Sequence, residues 1–148
     1  MKDTLDTLRT LAVKDHVALG GLSAGQLELA LAAVHATLPA ARPMSEREVN
    51  EALKAALAGA ACWLGTDHVE LRRWLVDAGW LERDGFGHEY RALAHAALRP
   101  TQQALARTLA TVDVARWVTA ERAAHERSRA ERKARWEKAQ QEKVQQPG

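Results

Sequence analysis

The stretch HVELRRWLVDAGWLERDGFGHEYRAL, residues 68–93, changes period half-way along. In its first part Leu71, Trp74, Leu75 and Ala78 recur at three and four residues, which predicts one buried face of a short helix. Gly79 is a natural left-handed terminator for that helix. The second part, WLERDGFGHEYRAL, alternates around a glycine-rich turn and predicts a hairpin turned by Asp84-Gly85, with Leu81 and Tyr90 facing inward.

Upstream, Ser45-x-x-Glu48 is a capping box in which each side chain satisfies the other residue's free backbone N–H. It opens a helix to about Ala58, with Val49, Ala52, Leu53, Ala56 and Leu57 on its core face. GAACWLG (59–65) is punctuation, and Thr66 is expected to cap the helix that follows. A second capping box, Ser23-x-x-Gln26, precedes Leu27, Leu31, Val34 and Leu38, one face of a helix ending near Pro39. HVALGG (16–21), closed by two glycines, is expected to be a lone strand. The order strand, helix, helix, helix, hairpin over residues 16–95 is that of a winged helix-turn-helix domain, mainly α with a small β-hairpin. Residues 1–15 form a separate amphipathic segment with Leu5, Leu8 and Leu11 on one side.

Between Pro100 and Gln146 the chain has neither glycine nor proline, which predicts a long C-terminal helix over 100–146. At ~1.5 Å per residue a continuous helix would span about 70 Å, against about 30 Å for the preceding domain. It must project, bend back or pair. Leu105, Leu109, Val112 and Trp117, with Val114 and Val118, form an apolar surface that suits a homodimer interface. Beyond it Arg122/Glu126, Arg127/Glu131, Glu131/Arg135 and Lys138/Glu142 stand at i, i+4, the pattern of a solvated or coiled-coil helix. Trp136 is the one apolar landmark there, and no internal repeat is visible.

The composition is that of a soluble helical protein with few aromatics apart from five Trp. The net charge of +2 conceals a split: residues 1–115 carry 12 basic and 14 acidic side chains, residues 116–148 carry 9 and 5. Such asymmetry points to a polyanion or a separate interaction segment. Cys62 is the only cysteine, so an internal disulfide is excluded and a reducing compartment is favoured. No apolar run approaches the ~18 residues of a membrane span, and MKDTLDTLRTL lacks the apolar core of a signal peptide. The expected location is cytoplasmic.

The segment MSEREVNEALKAALAGAACWLGTDHVELRRWLVDAGWLERDGFGHEYRAL resembles DUF2087, a bacterial domain of unknown function. The resemblance rests on Ser45, Glu46, Glu48, Val49 and Asn50, then Leu71, Arg72, Arg73, Leu75, Val76, Asp77 and Gly79, then Tyr90 and Arg91. More loosely it reaches back to about His16. It implies a winged-helix domain of the kind often attached to transcriptional regulators. GAACWLGTDHVE is longer and more apolar than the family's usual link, and the C-terminal helix lies beyond the resemblance.

In a winged helix the third helix enters the major groove and the hairpin brushes the backbone or the minor groove. The strip opposite Leu71 and Trp74 holds Thr66, Glu70, Arg73 and Asp77, with Arg72 on its flank. Arg73 could reach a guanine edge and Arg72 a phosphate, while Glu70 and Asp77 oppose phosphate. The alternative is that both arginines bridge to Glu48, Glu51 or Asp77 and organise the fold. The wing offers Arg83, His88 and Arg91, with Phe86 at its tip either as a wedge or as an ordinary turn residue folded onto the hairpin. In the tail RAERKAR (129–135), Arg129, Arg132, Lys133 and Arg135 are the densest phosphate contacts. Cys62, His68, His88 and His95 lack metal-cage spacing, so no metal is expected, and no catalytic or cofactor motif is present. Cys62 beside Trp63 is expected to be buried and unreactive. The expected function is that of a dimeric regulator or architectural factor on double-stranded DNA; the alternative is a protein-interaction module that uses the winged helix as scaffold and docks through the long helix, and a third reading, a ligand-sensing regulator, has no visible pocket signature.

Overall fold

Ser23 and Gln26 satisfy each other's backbone amides, the Gln26 N–H donating to Ser23 Oγ at 3.2 Å and the Ser23 N–H to Gln26 Oε1 at 3.1 Å. They start α2 (Ala24–His35). In the computed structural model, which describes residues 2–86 and 88–145, this helix is the central one. Every residue from Leu29 to Val34 is buried, so its apolar surface is wider than the predicted stripe. Alanines at 30, 32 and 33 let neighbours approach from several sides. The helix α1 (Lys2–Ala12) lays Leu8 and Leu11 into that core, and Leu5 is half-buried.

The Ser45–Glu48 capping box forms as well, and opens α3 (Glu46–Ala58) with Val49, Leu53 and Ala56 buried. α4 (His68–Asp77) packs across α3. Its cap is Asp67, which accepts the Glu70 N–H at 2.8 Å, and not Thr66, whose hydroxyl donates instead to Glu70 Oε2 at 2.9 Å. A carboxylate at the cap also suits the positive end of the helix dipole.

Three short strands, β1 (Met44–Ser45), β2 (Leu81–Arg83) and β3 (Glu89–Ala92), make an antiparallel sheet in the order β1-β3-β2. Leu81 faces Ala92 and Met44 faces Tyr90 on the buried side. The strand expected at 16–21 does not form. Val17 makes one parallel bridge to Leu64, and a 3-10 turn follows over Leu19–Gly21. His16, at φ 55°, brings the chain in from the left-handed region, and the turn ends the bridge before a ladder can grow. The first strand therefore lies between α2 and α3. Helix, strand, helix, helix, hairpin is still the element order of a winged helix-turn-helix.

Gly79 takes the left-handed conformation (φ 80°) and turns the chain into Trp80, which is fully buried. The indole N–H donates to Glu28 Oε2 at 2.9 Å, and the ring lies 5.1 Å from that of His35. The carbonyl of Ala78 accepts from buried Gln102 Nε2 at 3.0 Å and from Arg99 at 3.3 Å, while Arg99 also reaches Glu28 Oε1 at 3.2 Å. These contacts join the end of α4 to α2 and to the start of α5 (Pro100–Leu109).

The C-terminal helix is not continuous. It breaks over residues 110–113 and resumes as α6 (Val114–Gln145); Gln146, its expected last residue, lies outside the described residues, as does Gly87 in the hairpin turn. Thr111 Oγ1 turns back to the Thr108 carbonyl at 2.6 Å, and Asp113 Oδ1 accepts the Arg116 N–H at 3.2 Å, restarting the helix. The break folds Leu109, Val114 and Val118 into one core that runs from Leu8 to Val118. Leu109 is fully buried against the chain's own helices and cannot line a dimer interface. Arg122 forgoes Glu126. It donates to the Ala12 and Lys14 carbonyls at 2.9 and 2.8 Å and to Asp15 Oδ1 at 2.6 Å, closing the C-terminus of α1. Residues 126–145 are all exposed, a projection of about 30 Å.

Gly65 donates its N–H to the Val17 carbonyl at 2.8 Å, and a Cβ there would lie 2.9 Å from the His16 carbonyl carbon and oxygen. Gly65→Ala must push the two segments apart and is expected to cost about 1–3 kcal/mol; an unchanged denaturation midpoint would contradict this packing. His35 Nε2 bonds the Leu93 carbonyl at 2.9 Å, so this nitrogen carries the proton. Burial holds the imidazolium pKa below the usual histidine range, partly offset by that bond. The unfolded chain binds the extra proton more readily, so this stability is full above about pH 6.5 and is lost as pH falls through that value. The melting temperature should therefore drop between about pH 7.5 and 5.5, and His35→Gln should flatten that part of the curve.

Candidate nucleic-acid interface

The side of α4 turned from the core presents Val69, Glu70, Arg73 and Asp77, while Leu71 and Leu75 anchor the helix inward. Trp74 is half-buried rather than a core residue, its indole N–H 3.4 Å from Glu70 Oε1. Arg72 does not face this side. Its side chain is only 17% exposed, donates to Asn50 Oδ1 at 2.6 Å and to Glu46 Oε1 at 3.4 Å, and stands 5.2 Å over the Tyr90 ring. A guanidinium held by an amide, a carboxylate and an aromatic face ties α3, α4 and β3 together. It lines the groove beside Arg73 and could meet a phosphate only by giving up these partners. The structural alternative holds for this arginine, with Asn50 and Glu46 in place of the expected Glu48, Glu51 or Asp77.

Arg73 is exposed and has no hydrogen bond or ion pair among the described residues. Across from it stands Arg83. The register pairs Arg83 with Tyr90, on the sheet face turned to α4, so Arg73 and Arg83 line one open groove of about 400 Å³ between helix and wing. Asp77 and Asp84 share that groove. Arg91 pairs with Glu82 on the opposite face of the hairpin and does not join them. The period of two puts neighbouring strand residues on opposite faces, which separates Arg91 from Tyr90 and therefore from α4.

At the wing tip Phe86 is 85% exposed and is not folded onto the hairpin; its nearest ring is His88, 6.3 Å away. The His88 N–H donates to Asp84 Oδ1 at 2.8 Å, fixing the turn. Thr66 is engaged with Glu70. Arg129, Arg132, Lys133 and Arg135 lie on the projecting half of α6, all exposed. The expected dimer surface is largely consumed by the fold, because Leu105 and Val112 are half-buried and Trp117 sits beneath Arg9, whose guanidinium carbon is 5.7 Å from the ring.

Cys62 is half-buried rather than buried, and the described residues hold no group of three or more metal-ligating side chains. No helix among the described residues is long and apolar enough to cross a membrane. The partners Glu28, Trp80 and Gln102 carry no signal in the sequence, because each acts across a long stretch of chain. The one signal for Asn50 and Glu46 was their place in the motif shared with DUF2087.

Residues 23–92 match the family described as "Uncharacterized protein conserved in bacteria (DUF2087)". They run from the cap of α2 to the end of β3. Residues 23–92 are a DUF2087 domain. No curated protein and no solved structure matches the chain. Arg72 and its three partners Glu46, Asn50 and Tyr90 all fall inside the domain, whereas α1, α5 and α6 lie outside it.

The two adjacent arginines should therefore separate cleanly. Arg72→Ala leaves Asn50 and Glu46 without their donor and is expected to lower stability by about 1–3 kcal/mol. Arg73→Ala is expected to stay within about 0.5 kcal/mol of the parent. Chemical denaturation of both variants checks the pair.

Proposed function

We propose that the protein is a cytoplasmic, non-enzymatic DNA-binding protein, a regulator or architectural factor, whose DUF2087 domain meets duplex DNA through α4 and the wing. The observation that carries this reading is the shared groove in which Arg73 and Arg83 stand exposed without ion pairs among the described residues, while Arg72, which also lines it, is held by Asn50, Glu46 and the Tyr90 ring. A helix and a wing presenting one guanidinium each from opposite walls suit a base edge and a flanking phosphate. Arg91 is left out of this contact, as are Thr66 and Arg72.

A second reading is favoured by the carboxylates of the same surface. Asp67, Glu70 and Asp77 surround Arg73, and Phe86 stands out at the wing tip. Such a mixture of charge and aromatic suits a protein partner better than a bare polyanion. On that reading the winged helix is a docking scaffold.

Fluorescence anisotropy on a mixed-sequence duplex of about 30 base pairs, between about 50 and 300 mM salt, distinguishes the two. DNA binding predicts micromolar or tighter affinity that weakens with salt, and a loss of at least about tenfold in Arg73→Ala/Arg83→Ala. A double variant that binds as the parent does would remove the groove from the DNA account.

A further inference from the structure

The exposed half of α6 looks evenly charged in sequence, but the helix sorts it. At ~100° per residue, His125, Arg129, Arg132, Lys133, Trp136 and Lys143 fall within an arc of about 100°. Glu126, Glu131, Glu137 and Glu142 all lie outside that arc. Trp136, 63% exposed, sits at its centre. The only ion pair in this segment among the described residues is Arg129–Glu126, at 3.9 Å between largely exposed side chains, so the stripe is barely neutralised.

This arc is not a new side of the helix. It continues the side on which Val114 and Val118 are buried, Glu121 accepts from Arg9 at 2.9 Å and Arg122 grips the end of α1. α6 is thus clamped on one face along its first half and presents the same face, now cationic, beyond the edge of the domain. The clamp fixes the direction of the stripe, which a free tail could not do.

We infer that this stripe is a phosphate-binding arm, which lies along the backbone of the nucleic acid held by the DUF2087 domain. The inference rests on the DNA reading above and adds a second contact to it. From Arg129 to Lys143 the stripe is about 21 Å long, enough to face several phosphates of one strand at ~3.4 Å each. Arginine forks suit phosphate oxygens, and an exposed indole offers a flat apolar surface to a sugar or base. Self-pairing as a parallel coiled coil is disfavoured because His125, Arg129, Arg132 and Lys143 would meet their own copies along the seam. A membrane surface is disfavoured because Trp136 is the stripe's one large apolar side chain, where an interfacial helix needs a broad apolar face.

The full chain and the variant Arg129→Gln/Arg132→Gln/Lys133→Gln/Lys143→Gln are compared on the same ~30-base-pair duplex across a salt series. All four side chains are solvated, so the variant should melt with the parent. The arm predicts that the slope of log affinity against log salt shrinks by about 3 to 4, at ~0.9 per phosphate contact removed. It also predicts that the duplex quenches Trp136 emission, an effect missing in Trp136→Phe. An unchanged slope, with Arg73→Ala/Arg83→Ala abolishing binding, overturns the arm and leaves the domain's DNA reading standing. A shrunken slope with Arg73→Ala/Arg83→Ala binding normally supports the arm and rejects the groove. Binding to anionic phosphatidylglycerol vesicles with no binding to duplex at about 50 mM salt overturns the nucleic-acid assignment.

Discussion

The geometry of the domain depends on one largely buried cation. Arg72 of α4 leaves water only because Glu46 and Asn50 of α3 and the Tyr90 ring of β3 replace its hydration, so that three elements meet at one guanidinium. A guanidinium stripped of such partners would be costly, so the three elements have to be brought together at the place where the arginine sits. That constraint sets the crossing of α3 and α4 and the tilt of the hairpin at the same time. The outward position of Arg73 follows from it, since one residue along a helix turns the side chain by about 100°.

A second junction explains why the family segment does not stand apart from the rest of the chain. Trp80 lies inside the DUF2087 match, yet its neighbour Ala78 is capped by Gln102 and Arg99 from beyond that match. Glu28 serves both halves, accepting from the Trp80 indole and from Arg99. The C-terminal end of α4 leaves carbonyls that need donors, and here a buried glutamine from α5 supplies one. α5 and the start of α6 are thus part of the domain's core, and the apolar residues that look like an interface in sequence are chiefly there to close it.

Legibility followed the range of the interactions. Both capping boxes, the left-handed Gly79 and the inward Leu81 and Tyr90 are local, and all could be read from spacing. The break at 110–113 could not, because the residues there tolerate a helix and what stops it is the gain from folding Val114 and Val118 back onto the core. The misplaced first strand has the same origin: HVALGG has strand character, but its partner is a single residue, Leu64, while two residues before α3 find a whole strand in β3. At the candidate site, sequence placed the arginines on the correct helix and hairpin. It could not tell Arg72 from Arg73, since the difference lies in Asn50 and Tyr90, 22 and 18 residues away.

The distribution of charge is the remaining clue, and it supports a division of labour. The groove between α4 and the wing has two outward guanidiniums set among carboxylates, which is poor for indiscriminate attraction to a polyanion and better for discrimination, because an ill-fitting approach meets repulsion. The projecting half of α6 has the opposite character, with cations and one indole on a face free of carboxylates and no shape with which to read a base. Sequence-independent affinity and sequence-dependent selection draw on different contacts. On the proposed reading the chain separates them in space, with the arm holding the backbone and the groove testing what lies against it. The clamp of Arg122 and Glu121 on α1 makes that separation useful, because it gives the arm a fixed direction relative to α4. A flexible basic tail of the same composition would add attraction without register.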